Sequence, residues 1–107
     1  MQKTSIVSID RIRAAAAASG SHWFEPGAMR FFKTRLPQSG IIDRSGKMWF
    51  VSSEAFRPGQ RKYSVRFFDP ATGSVNTHGD FNRYASRSAA ASAMRRAITA
   101  LDYPDQD

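Results

Sequence analysis

Arg61-Lys62-Tyr63-Ser64-Val65-Arg66-Phe67-Phe68-Asp69, then Pro70-Ala71-Thr72-Gly73 and Ser74-Val75-Asn76-Thr77-His78, is the stretch on which the fold turns. In its first nine residues Tyr63, Val65 and Phe67 alternate with Lys62, Ser64, Arg66 and Phe68. A period of two is the signature of a strand, here with an apolar side and a basic side. Asp69 to Gly73 reads as a hairpin connection, because proline presets φ and glycine accepts a positive one. Residues 74–78 then return as a short strand. One basic side predicts an antiparallel sheet covered on one face and wet on the other.

Working outward, residues 47–53 alternate Met48, Phe50 and Ser52 against Trp49, Val51 and Ser53, and the turn Arg57-Pro58-Gly59-Gln60 joins them to Arg61. That makes a three-stranded meander. Downstream, Ala90, Met94, Ala97, Ile98 and Leu101 recur at helical spacing, predicting a helix from an N-cap at Ser86 to Leu101, with Pro104 preventing continuation. Upstream, Ser8 caps a helix over Ile9–Ala18 that ends at Gly20. Residues 26–36 allow two readings: a short helix from Pro26 to about Thr34 with Met29, Phe32 and Leu36 on one side, or a strand with Met29, Phe31 and Lys33 alternating. Residues 37–40 and 43–46 are turn clusters. The expected fold class is α+β: one two-layer domain over residues 1–107, a three-stranded antiparallel sheet packed on helices in the order α-(α)-β-β-β-α. Residues 1–7 and 102–107 are expected to be loose tails.

The charge balance is less ordinary than the composition. Sixteen Lys+Arg against nine Asp+Glu give a net charge of +7. Asp102, Asp105 and Asp107 lie in the last six residues, so the rest of the chain is more basic still. Lysines stand only at positions 3, 33, 47 and 62; arginine supplies the other cations, and its planar fork suits phosphate, carboxylate and aromatic faces. An anionic partner follows: nucleic acid, a nucleoprotein, or an acidic protein surface. The absence of cysteine excludes disulfide, thiol and zinc-thiolate chemistry and fits a reducing cytoplasm. No apolar run has the length of a membrane span, so no membrane role is expected.

Catalytic signatures are scarce. His22 and His78 lie in separate loop or strand-end contexts, without the spacing of metal ligands. Asp69 and Asp80 flank the third strand, but an Asp-Pro turn uses its carboxylate on its own backbone. Serines 52, 53, 86 and 88 have no base at recognisable spacing. The expectation is a non-enzymatic protein with no catalytic residues, no metal and no cofactor.

A basic-aromatic surface is the stronger signal. Lys62, Arg66 and Phe68 share a strand face bordered by Arg61, a mixture that holds backbones and stacks bases. Arg83 and Arg87 stand four residues apart at the start of the last helix, where N–H groups also attract phosphate. These six are the expected residues for nucleic acid or another anionic partner. Trp23, Arg30 and Phe31 form a second aromatic and basic cluster, either core or a protein-docking patch.

Two resemblances accompany these readings. Residues 58–101, with Pro58-Gly59-Gln60-Arg61-Lys62-Tyr63, the Gly73 hairpin and the alanine-rich Ser86–Leu101 segment, look like the second half of a double-stranded-RNA-binding domain. That resemblance implies phosphate contacts for Arg83 and Arg87, and a minor-groove loop containing Gln60. Gln60 stands where the family has a histidine, and Ala85-Ser86-Arg87 where it has paired lysines. Across the whole chain, His22-Trp23-Phe24, Met29-Arg30-Phe31-Phe32, Phe50-Val51-Ser52-Ser53-Glu54 and Tyr84-Ala85-Ser86-Arg87 resemble small accessory proteins of bacteriophages and prophages. This implies a role in the bacterial host cytoplasm, in phage DNA metabolism or in phage–host conflict. One form would be an anti-defence, anti-CRISPR-like inhibitor that binds a host complex.

Overall fold

A computed structural model describes residues 5–31, 33–55 and 59–103, with the side chain of Phe31 outside the description. The chain runs β1 (Ser5–Ser8), α1 (Ile9–Ala18), α2 (Pro26–Phe31), β2 (Ser39–Ile42), β3 (Met48–Ala55), β4 (Arg61–Asp69), β5 (Ser74–His78) and α3 (Arg87–Asp102). All five strands join one antiparallel sheet in sequence order, each pairing with the next.

The meander and last helix lie where their periodicities put them. Met48 to Ala55 pairs with Phe68 to Arg61, and Val65 to Asp69 pairs with His78 to Ser74. In the hairpin, Gly73 has φ 72° and donates its N–H to the Asp69 carbonyl at 2.8 Å, while Asp69 Oδ1 accepts from Ala71 N. Both caps hold: Ser8 Oγ accepts from Arg11 N, and Ser86 Oγ from Ala89 N.

Two expectations need correction. The sheet has five strands, not three, and it is covered on both faces. Ser5–Ser8, its first three residues expected in a loose tail, is β1; Ser39–Ile42, its first two residues expected in a turn, is β2. Both strands are four residues long, too short to display a period. Gly40 hides the second further, although its backbone packs so closely that a Cβ there would meet the Trp49 carbonyl oxygen at 2.1 Å. One face of the sheet packs Val7, Ile42, Phe50 and Phe68 against Ile9, Ile12 and Ala16 of α1. The other packs Trp49, Val51 and Val65 against Ala90, Ala93, Met94 and Ile98 of α3. The result is three layers, helix, sheet and helix. Phe68 belongs to the first core at 0% exposure, where a buried aromatic side chain contributes ~2–3 kcal/mol.

Smaller departures follow the same logic. α2 ends at Phe31, Lys33 takes a left-handed φ of 49°, and Arg35 then bridges Ser53, so residues 26–31 are helix and Arg35 pairs like a strand residue. Leu101, assigned to the buried stripe, is 55% exposed. Asp102, expected in a tail, ends α3: its Oδ2 accepts from Arg44 N, and the Arg44 guanidinium lies 3.9 Å from the Tyr103 ring centre. Phe32, the turn at residues 57–58 and Pro104 lie outside the described residues.

Candidate functional site

Strands are straight enough that alternate residues of neighbours line up, so β3 and β4 set five polar side chains side by side on the α1 face: Ser52 opposite Ser64, Glu54 opposite Lys62, and Arg66 opposite Phe50. Toward β2 this face is sealed by α1. At its other end α1 does not reach, and a cavity of ≈ 280 Å³ remains, lined by Glu54, Arg66, Trp23, Ala28, Met29, Thr34 and Phe81.

Each wall has a local cause. Trp23 is fixed by edge-on packing against Phe24 and Phe50, with ring centres 4.8 and 5.5 Å away. α2 carries Ala28 and Met29 across the opening, and the Arg35–Ser53 bridge brings Thr34 beside β3. Arg61, from the opposite face of β4, anchors that segment: Nη1 donates to Ser53 O at 2.8 Å and Nη2 to Lys33 O at 3.0 Å. Phe81 is placed by its neighbour. Asn82 sits in the left-handed region, φ 57°, and donates its N–H to Ser64 Oγ at 2.7 Å.

At the centre lies Arg66, 8% exposed. Its Nε donates to Ser52 Oγ and its Nη1 to Thr77 Oγ1, both at 2.6 Å, and its guanidinium carbon is 5.1 Å from the ring centres of both Trp23 and Phe81. Such aromatic contacts favour a cation taken out of water. Burial lowers the Arg66 pKa from its ordinary value, with the Glu54 charge opposing. Yet Nη2 stands 3.7 Å from Glu54 Oε1, beyond hydrogen-bond distance.

Glu54, 1% exposed, is less well served. Oε1 faces Ser64 Oγ at 3.5 Å, but that single hydroxyl hydrogen also has Asn82 Oδ1 at 3.4 Å. Oε2 is buried without a hydrogen-bond partner among the described residues. A buried carboxylate normally collects donors, and leaving one short costs ~1–3 kcal/mol or more.

The expected site residues are therefore redistributed. Arg66 and Trp23, which the sequence places in two separate patches, meet in one cavity. Phe68 is core and cannot meet a partner. Arg61 is held in the scaffold, half-buried. Lys62, Arg83 and Arg30 are exposed and flank the cavity in the chain: Lys62 opposite Glu54, Arg83 two residues beyond Phe81, Arg30 next to Met29. Arg83 makes a weak exposed pair with Asp80, at 3.5 Å, and its guanidinium lies 5.9 Å from the Tyr84 ring centre. Arg87 lies on the other side of the sheet, in a groove with Arg95, Ile6, Ile41 and Met94. The Phe31 side chain is outside the described residues. Glu54 and Phe81 are site residues that the sequence does not single out; an acid at the end of a buried strand is the available signal for the first, and the second has none.

The cavity holds one acid and one base, balanced in charge, between aromatic walls. The two histidines lie elsewhere: His22 bonds Glu25 at 2.6 Å, which raises its pKa, and His78 sits at the edge of Trp49. Among the described residues no three His, Asp or Glu come together to hold a metal ion, and no helix is long and apolar enough to cross a membrane. No curated protein and no solved structure matches the chain. Residues 8–95 match a family of unknown function, DUF7447, and the chain belongs to that family.

Proposed function

We propose that this chain is a small non-enzymatic module that binds nucleic acid in single-stranded form, its exposed cations on the phosphates and one base in the Trp23–Phe81 cavity. The carrying observation is the cavity itself. An aromatic-walled space of ≈ 280 Å³ is lined by Trp23, Arg66 and Phe81, and the exposed Lys62, Arg83 and Arg30 stand near its lining residues in register or sequence, on a chain of net charge +7. Aromatic side chains hold bases of any sequence by stacking, and cations near them follow the backbone. A cavity of this kind admits a base only when it is splayed out of a duplex, hence the preference for single strands. The setting is a cytoplasm, where a cysteine-free chain has no need of oxidising conditions. The phage-type accessory role implied by the sequence resemblance is compatible with such a module.

Fluorescence anisotropy with a labelled mixed-sequence oligonucleotide of about twelve residues tests this. Binding should be present at about 50 mM salt and weaken steeply by about 200 mM, with a logarithmic slope of about −0.7 for each phosphate neutralised. Phe81→Ala should weaken binding by ~1–3 kcal/mol. No binding at the lower salt overturns the proposal.

A second reading, an inhibitor docking on a host protein complex, is favoured by the groove on the α3 side. Exposed Ile6 lies there beside Ile41 and Met94, with Arg87 and Arg95 also in the lining, a mixture suited to an acidic apolar segment.

A further inference from the structure

The cavity's polar floor says more than its walls do. Its two charged groups cancel, so a buried ligand that is itself charged would leave one charge uncompensated, at high cost in a desolvated site. The fitting ligand is neutral where it enters, planar enough for the Trp23 and Phe81 rings, and able to offer hydrogen-bond donors to Glu54 and an acceptor to Arg66. Glu54 is the demanding partner: Oε2 has no donor among the described residues, and Oε1 has at most a shared one at 3.5 Å. Neither bond locks the carboxyl plane. Arg66 still has donor capacity at Nη2, because its nearest acceptor in the ion pair is 3.7 Å away.

Nucleobases differ on this requirement. A carboxylate with both oxygens short of donors calls for two adjacent N–H groups on one edge. Guanine presents N1–H and N2–H side by side, with O6 next to them as an acceptor. Adenine and cytosine offer one exocyclic amino group beside ring acceptors that would face the carboxylate's lone pairs. Uracil and thymine offer a single N–H between two carbonyl oxygens. The space, at ≈ 280 Å³, lies at the lower end of the ~300–1,000 Å³ of small-molecule pockets.

We propose that the Glu54–Arg66 cavity is a guanine site, in which the carboxylate of Glu54 accepts from N1–H and N2–H and Arg66 Nη2 donates to O6. The ring lies against Trp23 and Phe81. This rests on the single-strand reading above, and assigns Glu54 as the residue that chooses the base, while the surface cations hold any strand. The half-buried Trp23 gives an intrinsic fluorescence signal for occupancy.

The test uses single-stranded oligonucleotides identical except for one central base, titrated by anisotropy, beside free guanosine and adenosine monophosphates followed by tryptophan fluorescence. The guanine strand should bind about tenfold or more tighter than the other three. Glu54→Gln, which replaces one acceptor with a donor, should reduce that preference to within about threefold. Phe81→Leu should weaken the strands alike and leave the ratio. Equal affinity for the four strands overturns the guanine site and leaves strand binding standing, as does a preference that survives in Glu54→Gln. Guanosine monophosphate binding with no oligonucleotide binding keeps the guanine site and overturns the strand reading. Absence of both overturns both.

Discussion

Asp43 and Glu54 are the two buried acids among the described residues, each 1% exposed, and they are opposites. Asp43 opens the turn between β2 and β3 and is saturated. Its Oδ1 accepts from Ser45 N at 2.9 Å, Ser45 Oγ at 2.7 Å and Lys47 N at 3.0 Å, and its Oδ2 accepts from Trp49 Nε1 at 2.8 Å. Glu54, at the far end of β3, has one shared hydroxyl and an arginine just out of reach. Equal burial with unequal satisfaction separates a carboxylate that builds the fold from one held ready for something else. Burial pushes the Asp43 pKa up, but the four hydrogen bonds outweigh it and hold the carboxyl below its usual range.

The largest expected effect is on stability at Asp43. Asp43→Asn turns an acceptor into a donor facing other donors, and should cost ~2–4 kcal/mol in urea unfolding. Glu54→Gln should cost less than Asp43→Asn, because few hydrogen bonds are there to lose, although the buried Arg66 guanidinium gives up its balancing charge. An equal loss at both positions would erase the distinction. pH offers a second route. The folded pKa of Asp43 lies below its unfolded value, so its contribution is complete above the unfolded value and disappears as pH falls through the folded one. The wild type should therefore lose stability over that acid range more steeply than Asp43→Asn, measured as the urea midpoint at successive pH values.

Smaller effects locate the strand. Lys62→Ala and Arg83→Ala should each lower the salt slope of oligonucleotide binding by about 0.7 with little change in folding, while Arg87→Ala, across the sheet, should leave it unchanged. A slope that responds to Arg87 and not to Lys62 would move the interface to the α3 groove and favour a different partner.

The contrast between the two acids also marks what is legible in the sequence. The β4–β5 hairpin and α3 are, since nine alternating residues and a four-turn apolar stripe each carry a period. β1 and β2 are not, because a four-residue strand shows none, and without them the second face of the sheet looks wet. That error carries Phe68 and Arg66 to the surface. Arg66 keeps a place in the candidate site for another reason: a basic residue on a strand face that α1 and Trp23 cover must find partners there. Trp23 and Arg66 are 43 positions apart in the chain, and only the sheet's closure by β1 and α1 puts them together. Glu54 leaves only a weak signal, an acid at the end of the strand, because Ser52-Ser53-Glu54 resembles the polar end of an exposed strand.

The most direct measurement compares Asp43→Asn and Glu54→Gln, each in its folded range, for urea stability and for affinity toward the guanine-containing strand. Asp43→Asn should lose stability and keep wild-type affinity; Glu54→Gln should lose less stability than Asp43→Asn and about tenfold in affinity. Wild-type affinity in Glu54→Gln, or a stability loss there as large as at Asp43, would contradict the assignment of Glu54 to a ligand.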